Sequence, residues 1–149
     1  MFPGEQRQAR VALIPAGVMG FTSLLGTLWL MLNYQLGLAA LVMGLAAILL
    51  AWFYSAPPIQ LHTHGLGEIS ATLVLTVLTP LIGFHLQSKQ FTLRPFLAII
   101  PLCFLQFNML ISVAIPDAEG DQKVNKRTLV VILGQPASAR LYLIGLGLA

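Results

Sequence analysis

Val11-Ala-Leu-Ile-Pro-Ala-Gly-Val-Met-Gly-Phe-Thr-Ser-Leu-Leu-Gly-Thr-Leu-Trp-Leu-Met-Leu32 runs without a single charged side chain. A helix crosses the hydrocarbon of a bilayer in roughly 20 apolar residues, so this stretch is long enough to span. After a short break at Asn33-Tyr-Gln35 a second uncharged run covers 36–55 and ends in Trp52-Phe-Tyr54, a cluster of the kind that favours the membrane interface. Within it Ala40 and Gly44, then Ala47 and Ala51, recur at four-residue spacing, giving a small face against which another helix can pack closely.

The pattern continues along the chain. Pro57-Pro58 cannot continue a helix, and Gly65 and Gly67 punctuate the next few residues, so 56–67 is expected to be a loop. A third span is expected over 68–87, kinked at Pro80, and a polar link runs from Lys89 to Arg94. A fourth span covers 95–115 and carries Gln106 and Asn108, uncommon residues at membrane depth. A charged loop is expected over 116–128, with a fifth span beginning near 129 or 137. The expectation is an all-α, polytopic transmembrane bundle forming one membrane domain over 1–149.

Composition agrees. Of 149 residues 57% are hydrophobic and 9% charged, against roughly 25% charged in an average soluble domain. The eight basic residues lie between apolar runs and form no stripe, which excludes nucleic-acid binding. Cys103 is the lone cysteine, so there is no disulfide framework. The charged start Glu5-Gln-Arg-Gln-Ala-Arg10 leads into an apolar run too long for a signal-peptide core.

Alternating the spans puts Arg7, Arg10, Lys123, Lys126, Arg127 and Arg140 on one side, with Lys89 and Arg94 on the other. The positive-inside rule makes the first side cytoplasmic. The Pro-Pro loop and the charged loop then share that face.

Three of the five acidic residues lie within Asp117-Ala-Glu-Gly-Asp121. Asp117 and Asp121 are spaced i, i+4, so on a helical turn their carboxylates share one side, about 5–6 Å apart at Cβ. Two such charges repel unless a cation lies between them. Mg²⁺ takes hard oxygen ligands, commonly one or two carboxylates with phosphate and water completing the shell. Lys123, Lys126 and Arg127 follow at once and suit phosphate oxygens. The bland alternative is a solvated loop whose acids and bases neutralise one another.

The stretch Asp117-Ala-Glu-Gly-Asp-Gln-Lys-Val-Asn-Lys-Arg-Thr-Leu-Val-Val-Ile-Leu-Gly134 resembles the second aspartate-rich motif of the UbiA prenyltransferase superfamily, DxxxD followed by a basic residue and roughly GKRTLAVxLG. It departs at Asn125, where Gly is usual, and at Ile132, where Arg is common. Tyr54-Ser-Ala-Pro-Pro-Ile-Gln-Leu-His62 resembles the family's YSxPPxRLK, with Gln60 and His62 in place of Arg and Lys. Gly65-Leu-Gly-Glu68 resembles the branch acting on 1,4-dihydroxy-2-naphthoate, whereas Asp117-Ala-Glu-Gly-Asp121 is similar to the DxEGD of homogentisate- and chlorophyllide-type enzymes.

The resemblance implies a bundle of about nine helices, of which about 4–5 are present here. It implies alkylation of an aromatic quinone precursor by a prenyl diphosphate with Mg²⁺. Asp117 and Asp121 would be metal ligands; Lys123, Lys126 and Arg127 would bind diphosphate; Tyr54 would turn its ring to an allylic cation. His62 and His64 read as solvated loop histidines, and His85 as structural or interfacial. Met1-Phe-Pro-Gly4 is similar to the stretch after the family's first motif, NxxxDxxxD. The chain is therefore expected to be a central-to-C-terminal fragment, inactive by itself. A CDP-alcohol phosphotransferase would need DG and AR ahead of its aspartates, and a transport fragment would place ionisable residues near the bilayer midplane; the sequence has neither.

Overall fold

The computed structural model describes residues 3–90 and 92–149; Met1-Phe2 and the side chains of Arg7 and Arg10, invoked above, lie outside the described residues. The chain is helical with no strand among the described residues. Helix α1 (Pro3–Tyr34) turns through Gln35, in the left-handed region at φ 53°, into α2 (Gly37–Ser55). After the loop come α3 (Gly67–Thr72), a π-helical segment (Leu73–Leu78) and α4 (Thr79–Ser88), which together form one rod. Next are α5 (Arg94–Lys123), α6 (Leu129–Leu133) and α7 (Gln135–Leu148). Four stretches, Leu13–Tyr34, Gly37–Ser55, Gly67–Ser88 and Arg94–Lys123, are long and apolar enough to cross a membrane. The expected all-α bundle is what the chain forms.

The α3–α4 rod packs between α2 and α5, with α1 against α2 and α7 against α5. The expected small face is used in part. Ala40 and Gly44 are buried, and a Cβ at Gly44 would meet the Thr27 methyl of α1 at 2.7 Å; Ala51 is exposed. The core is divided between the two ends of the bundle. Met43, Leu81 and Ile99 cluster at one end, while Ile111, Ala114 and Val130 cluster at the other with Phe107, Leu141 and Tyr142 around them. Many large apolar side chains point outward, Leu32, Leu38 and Leu97 among them. That pattern suits hydrocarbon as solvent, because every backbone polar group inside a helix is already satisfied.

The third span is distorted at the expected place, with a widened turn directly ahead of Pro80. Proline lacks an N–H and its ring crowds the carbonyl four residues back. The turn ahead of it opens to i→i+5, and both the N–H and the hydroxyl of Thr79 donate to the carbonyl of Val74, the latter at 2.8 Å.

One expectation is corrected, that of a charged loop over 116–128. Helix α5 passes through Pro116 and ends only at Lys123, so Asp117–Asp121 is helical and the loop shrinks to 124–128. The acidic charges fall within the helix and do not end it.

The last span, expected to begin near 129 or 137, falls on two helices that begin at Leu129 and Gln135. Gly134, at φ 77°, separates the five-residue α6 from α7, which starts at Gln135 with Pro136 in its first turn.

The intramembrane Asn108 is buried against Gly145 of α7, where any Cβ would collide with its side-chain amide. Its Oδ1 and Nδ2 have no hydrogen-bond partner among the described residues. Gln106 is half-buried beside Leu75 and Thr76. At the same end as the α1–α2 turn, His85 is buried and Nε2 donates to the Leu36 carbonyl at 2.9 Å, a structural brace as expected.

Candidate functional site

At the opposite end from His85, a cavity of about 170 Å³ opens between the α2–α3 loop and the end of α5. Tyr54, His62, Glu68, Asp117, Asp121, Lys126 and Thr128 supply its polar wall. Ala71, Leu110, Val113 and Ala114 supply an apolar floor. These residues come from four segments separated along the chain, and each is held by an identifiable local device.

Tyr54 sits in the last turn of α2 and stays more than a third exposed. The loop then folds back. Gln60 adopts φ 48° and leads into a 3₁₀ turn, Leu61–Thr63, which returns His62 to Tyr54. Nδ1 of His62 donates to the Tyr54 carbonyl at 2.6 Å, and the two rings stack with centroids 5.8 Å apart and planes 26° apart. A carbonyl only accepts, so Nδ1 carries the proton. His62 is thus part of the site wall, contrary to the expectation of a solvated loop residue; His64 is exposed as expected. Gly67 makes this approach possible, since a Cβ there would lie 3.2 Å from His62 Cα and 3.4 Å from the Tyr54 ring.

Asp117 and Asp121 occupy the last turns of α5 on one side, as their spacing demands. Asp117 is exposed, with no hydrogen bond or ion pair found among the described residues. Asp121 is engaged. Beyond Lys123 the chain reverses through Asn125 at φ 60°, and the Lys126 N–H donates to the Asp121 carbonyl at 2.9 Å. That turn lays the Lys126 ammonium against both carboxylate oxygens of Asp121, at 3.1 Å each. Asn125 in place of the Gly that the resemblance leads one to expect is therefore no disruption, because Asn is among the few side chains that tolerate the left-handed region.

The basic segment runs directly into α6, whose amino end is held twice. Thr128 caps it by accepting the Val131 N–H at 3.3 Å. Glu68, in the first turn of α3, accepts the Leu129 N–H on Oε1 at 3.0 Å across 61 residues of sequence. Gly65 lets the loop reach the same short helix. At φ 73° a Cβ there would meet Ile132 at 2.5 Å, so Ile132, the second departure from the motif, packs the loop onto α6.

The structure thus brings together four of the six residues singled out from sequence: Tyr54, Asp117, Asp121 and Lys126. Arg127 lines a neighbouring recess of about 430 Å³ with Gln122, Asn125 and Lys126. Lys123 lines neither and is exposed. Sequence reasoning missed Glu68 and Thr128 as site residues. Glu68 carried a signal, being the one acid at the end of an otherwise apolar span.

Chemically, the cavity offers hard carboxylate oxygens, an ammonium poised on one of them, and an aromatic face over an apolar floor. Among the described residues no three His, Cys, Asp or Glu side chains gather as a closed metal cage. Two carboxylates on one helical side do fit Mg²⁺, which keeps waters and phosphate oxygens in its shell. The Lys126 ammonium already rests where Asp121 would meet a cation.

The family model described as the UbiA prenyltransferase family matches residues 6–149. The chain is also similar, at 24% identity over 100 residues, to a 1,4-dihydroxy-2-naphthoate octaprenyltransferase of Bacillus subtilis (strain 168). The matched stretch covers 67% of this chain and 32% of that protein. No solved structure matches.

Proposed function

The chain belongs to the UbiA prenyltransferase family, and on that premise we propose that it carries one of two Mg²⁺–diphosphate sites of an aromatic prenyltransferase. The substrates would be a prenyl diphosphate and an electron-rich aromatic quinone precursor of the 1,4-dihydroxy-2-naphthoate class. One observation carries the reading: Tyr54 at the end of α2 lines one cavity, at one end of an apolar bundle, with Asp117, Asp121 and Lys126 from the far end of α5 and the turn after it.

Asp117 and Asp121 would hold magnesium, whose charge, when bound, offsets the charge that grows on departing pyrophosphate. Lys126, released from Asp121, donates to phosphate oxygens, with Arg127 and Lys123 adding positive charge along the same segment. The Tyr54 ring, braced by His62, turns its electron-rich face to the allylic cation formed when the C–O bond breaks. The floor of Ala71, Leu110, Val113 and Ala114 keeps water from that cation. Attack by the aromatic ring and loss of its proton complete the transfer. Positive charge at Lys123, Lys126, Arg127 and Arg140 supports a cytoplasmic placement of this face.

The test is Asp117→Asn in the complete gene product, assayed in membranes for prenyl transfer. A loss of at least about a hundredfold is expected, because the substitution withdraws metal charge from the transition state. Wild-type turnover in that variant would refute the metal-ligand role.

A further inference from the structure

Glu68 is 7% exposed and lines the cavity, yet only half of its carboxylate is used. Oε1 takes the Leu129 N–H, whereas Oε2 is buried with no hydrogen-bond partner among the described residues. A buried carboxylate oxygen left without a donor is costly, and such groups persist where something else completes them.

Three classes of partner differ in how well they suit this oxygen. Diphosphate brings negative charge and would be repelled. A metal ion, on the reading above, is held by Asp117 and Asp121 of α5. A hydroxyl supplies the one missing proton and brings no charge. Gly67, directly before Glu68, lies against the Tyr54 ring, so the carboxylate belongs to the aromatic wall of the cavity. A flat, hydroxylated ring suits such a wall.

We infer that Glu68 is a specificity-determining residue for the aromatic substrate, with Oε2 accepting a hydrogen bond from a ring hydroxyl. This rests on the aromatic-acceptor reading above. The bond fixes the orientation of the ring beside Tyr54. It also leaves more electron density on the hydroxyl oxygen, and hence on the ring carbon that must attack. Oε1 meanwhile ties that wall to α6, so the acceptor pocket and the basic segment 126–128 share one fixed point.

The test measures equilibrium binding of 1,4-dihydroxy-2-naphthoate and of 1,4-dimethoxy-2-naphthoate to the complete gene product in detergent, without prenyl diphosphate. The ether keeps the ring and carboxylate but has no ring hydroxyl to donate. Wild type is expected to prefer the diol by about tenfold or more, the value of a hydrogen bond to a charged group. Glu68→Gln keeps its amide oxygen for the Leu129 N–H and its melting temperature, but presents N–H where Oε2 was. Its preference is expected to fall to about twofold or less.

Equal wild-type affinity for diol and ether overturns the inference, and does so even if Glu68→Gln fails to fold. An unchanged preference in Glu68→Gln also overturns it, as does a raised KM for prenyl diphosphate with the preference intact. Wild-type protein that binds neither naphthalene overturns the aromatic-acceptor reading as well.

Discussion

Asn125→Val isolates the turn that delivers Lys126. Asn125 adopts φ 60°, and an L-residue in the left-handed region is disfavoured by about 1–2 kcal/mol, with β-branched side chains the worst placed. Asn is spared much of that cost; Val is not. The turn has little to resist with. The Asn125 N–H donates to the Gln122 carbonyl at 3.2 Å, the Lys126 N–H to Asp121 at 2.9 Å, and the ion pair itself is more than a third exposed on the lysine side. A partly exposed pair of this kind contributes about 0–1 kcal/mol. An added strain of about 1–2 kcal/mol therefore shifts the population of the closed turn by a factor of about 5–30.

Because residues 124–127 are largely outside both core clusters, the strain should appear in ligand affinity and not in global stability. The assay is inhibition by pyrophosphate with Mg²⁺, together with the KM for prenyl diphosphate, on the complete gene product. Both constants are expected to rise about 5–30-fold in Asn125→Val, with the melting temperature nearly unchanged. Asn125→Gly, which accepts the same φ, should stay close to wild type. Equal pyrophosphate affinity in wild type and Asn125→Val would show that the turn does not control Lys126.

Other expectations concern packing and capping. Gly145→Leu must push α7 away from Asn108, an overpacking worth about 1–3 kcal/mol; thermal unfolding in detergent should show the loss, and Asn108→Ala in the same chain should recover part of it. An undiminished melting temperature in Gly145→Leu alone would refute the close α5–α7 contact. Thr128→Ala removes the cap of α6 and should cost about 1 kcal/mol, with Thr128→Ser retaining most of it; equal unfolding midpoints for all three proteins would count against the cap.

How much of this was legible beforehand varies by element. Hydrophobic run length located the second span at 36–55 and the third at 68–87, within a residue of Gly37–Ser55 and Gly67–Ser88. The fourth failed at its end because charge reports the edge of the bilayer, while Ala118 to Lys123 have no reason to leave the helix once water replaces lipid. Gly134 with Pro136 was a readable stop-and-start signal, a left-handed C-cap followed by proline in a new first turn. The aspartates and Lys126 were readable because their partners are local in sequence. Glu68 stood out as a lone acid at the end of an apolar span, but its contact was not readable, since it is made to α6, 61 positions later. His62 was misjudged for a similar reason: a ring stack on Tyr54 needs the left-handed turn at Gln60, which no residue type there announces.

The wide turn at Leu73–Leu78 has a further consequence. An i→i+5 turn holds one residue more than an α-helical turn, so everything beyond it is rotated by about 100° relative to an unbroken helix. That offset lies between Glu68, which faces the cavity at one end of the rod, and His85, which faces Leu36 at the other. Losing a residue elsewhere in the rod would swing one end away from its neighbour. Losing Pro80 would remove both the extra residue and the ring that demands it, and the rod could close to a plain α-helix with both ends still facing as they do now. At this turn the span can lose one residue and keep its bearings.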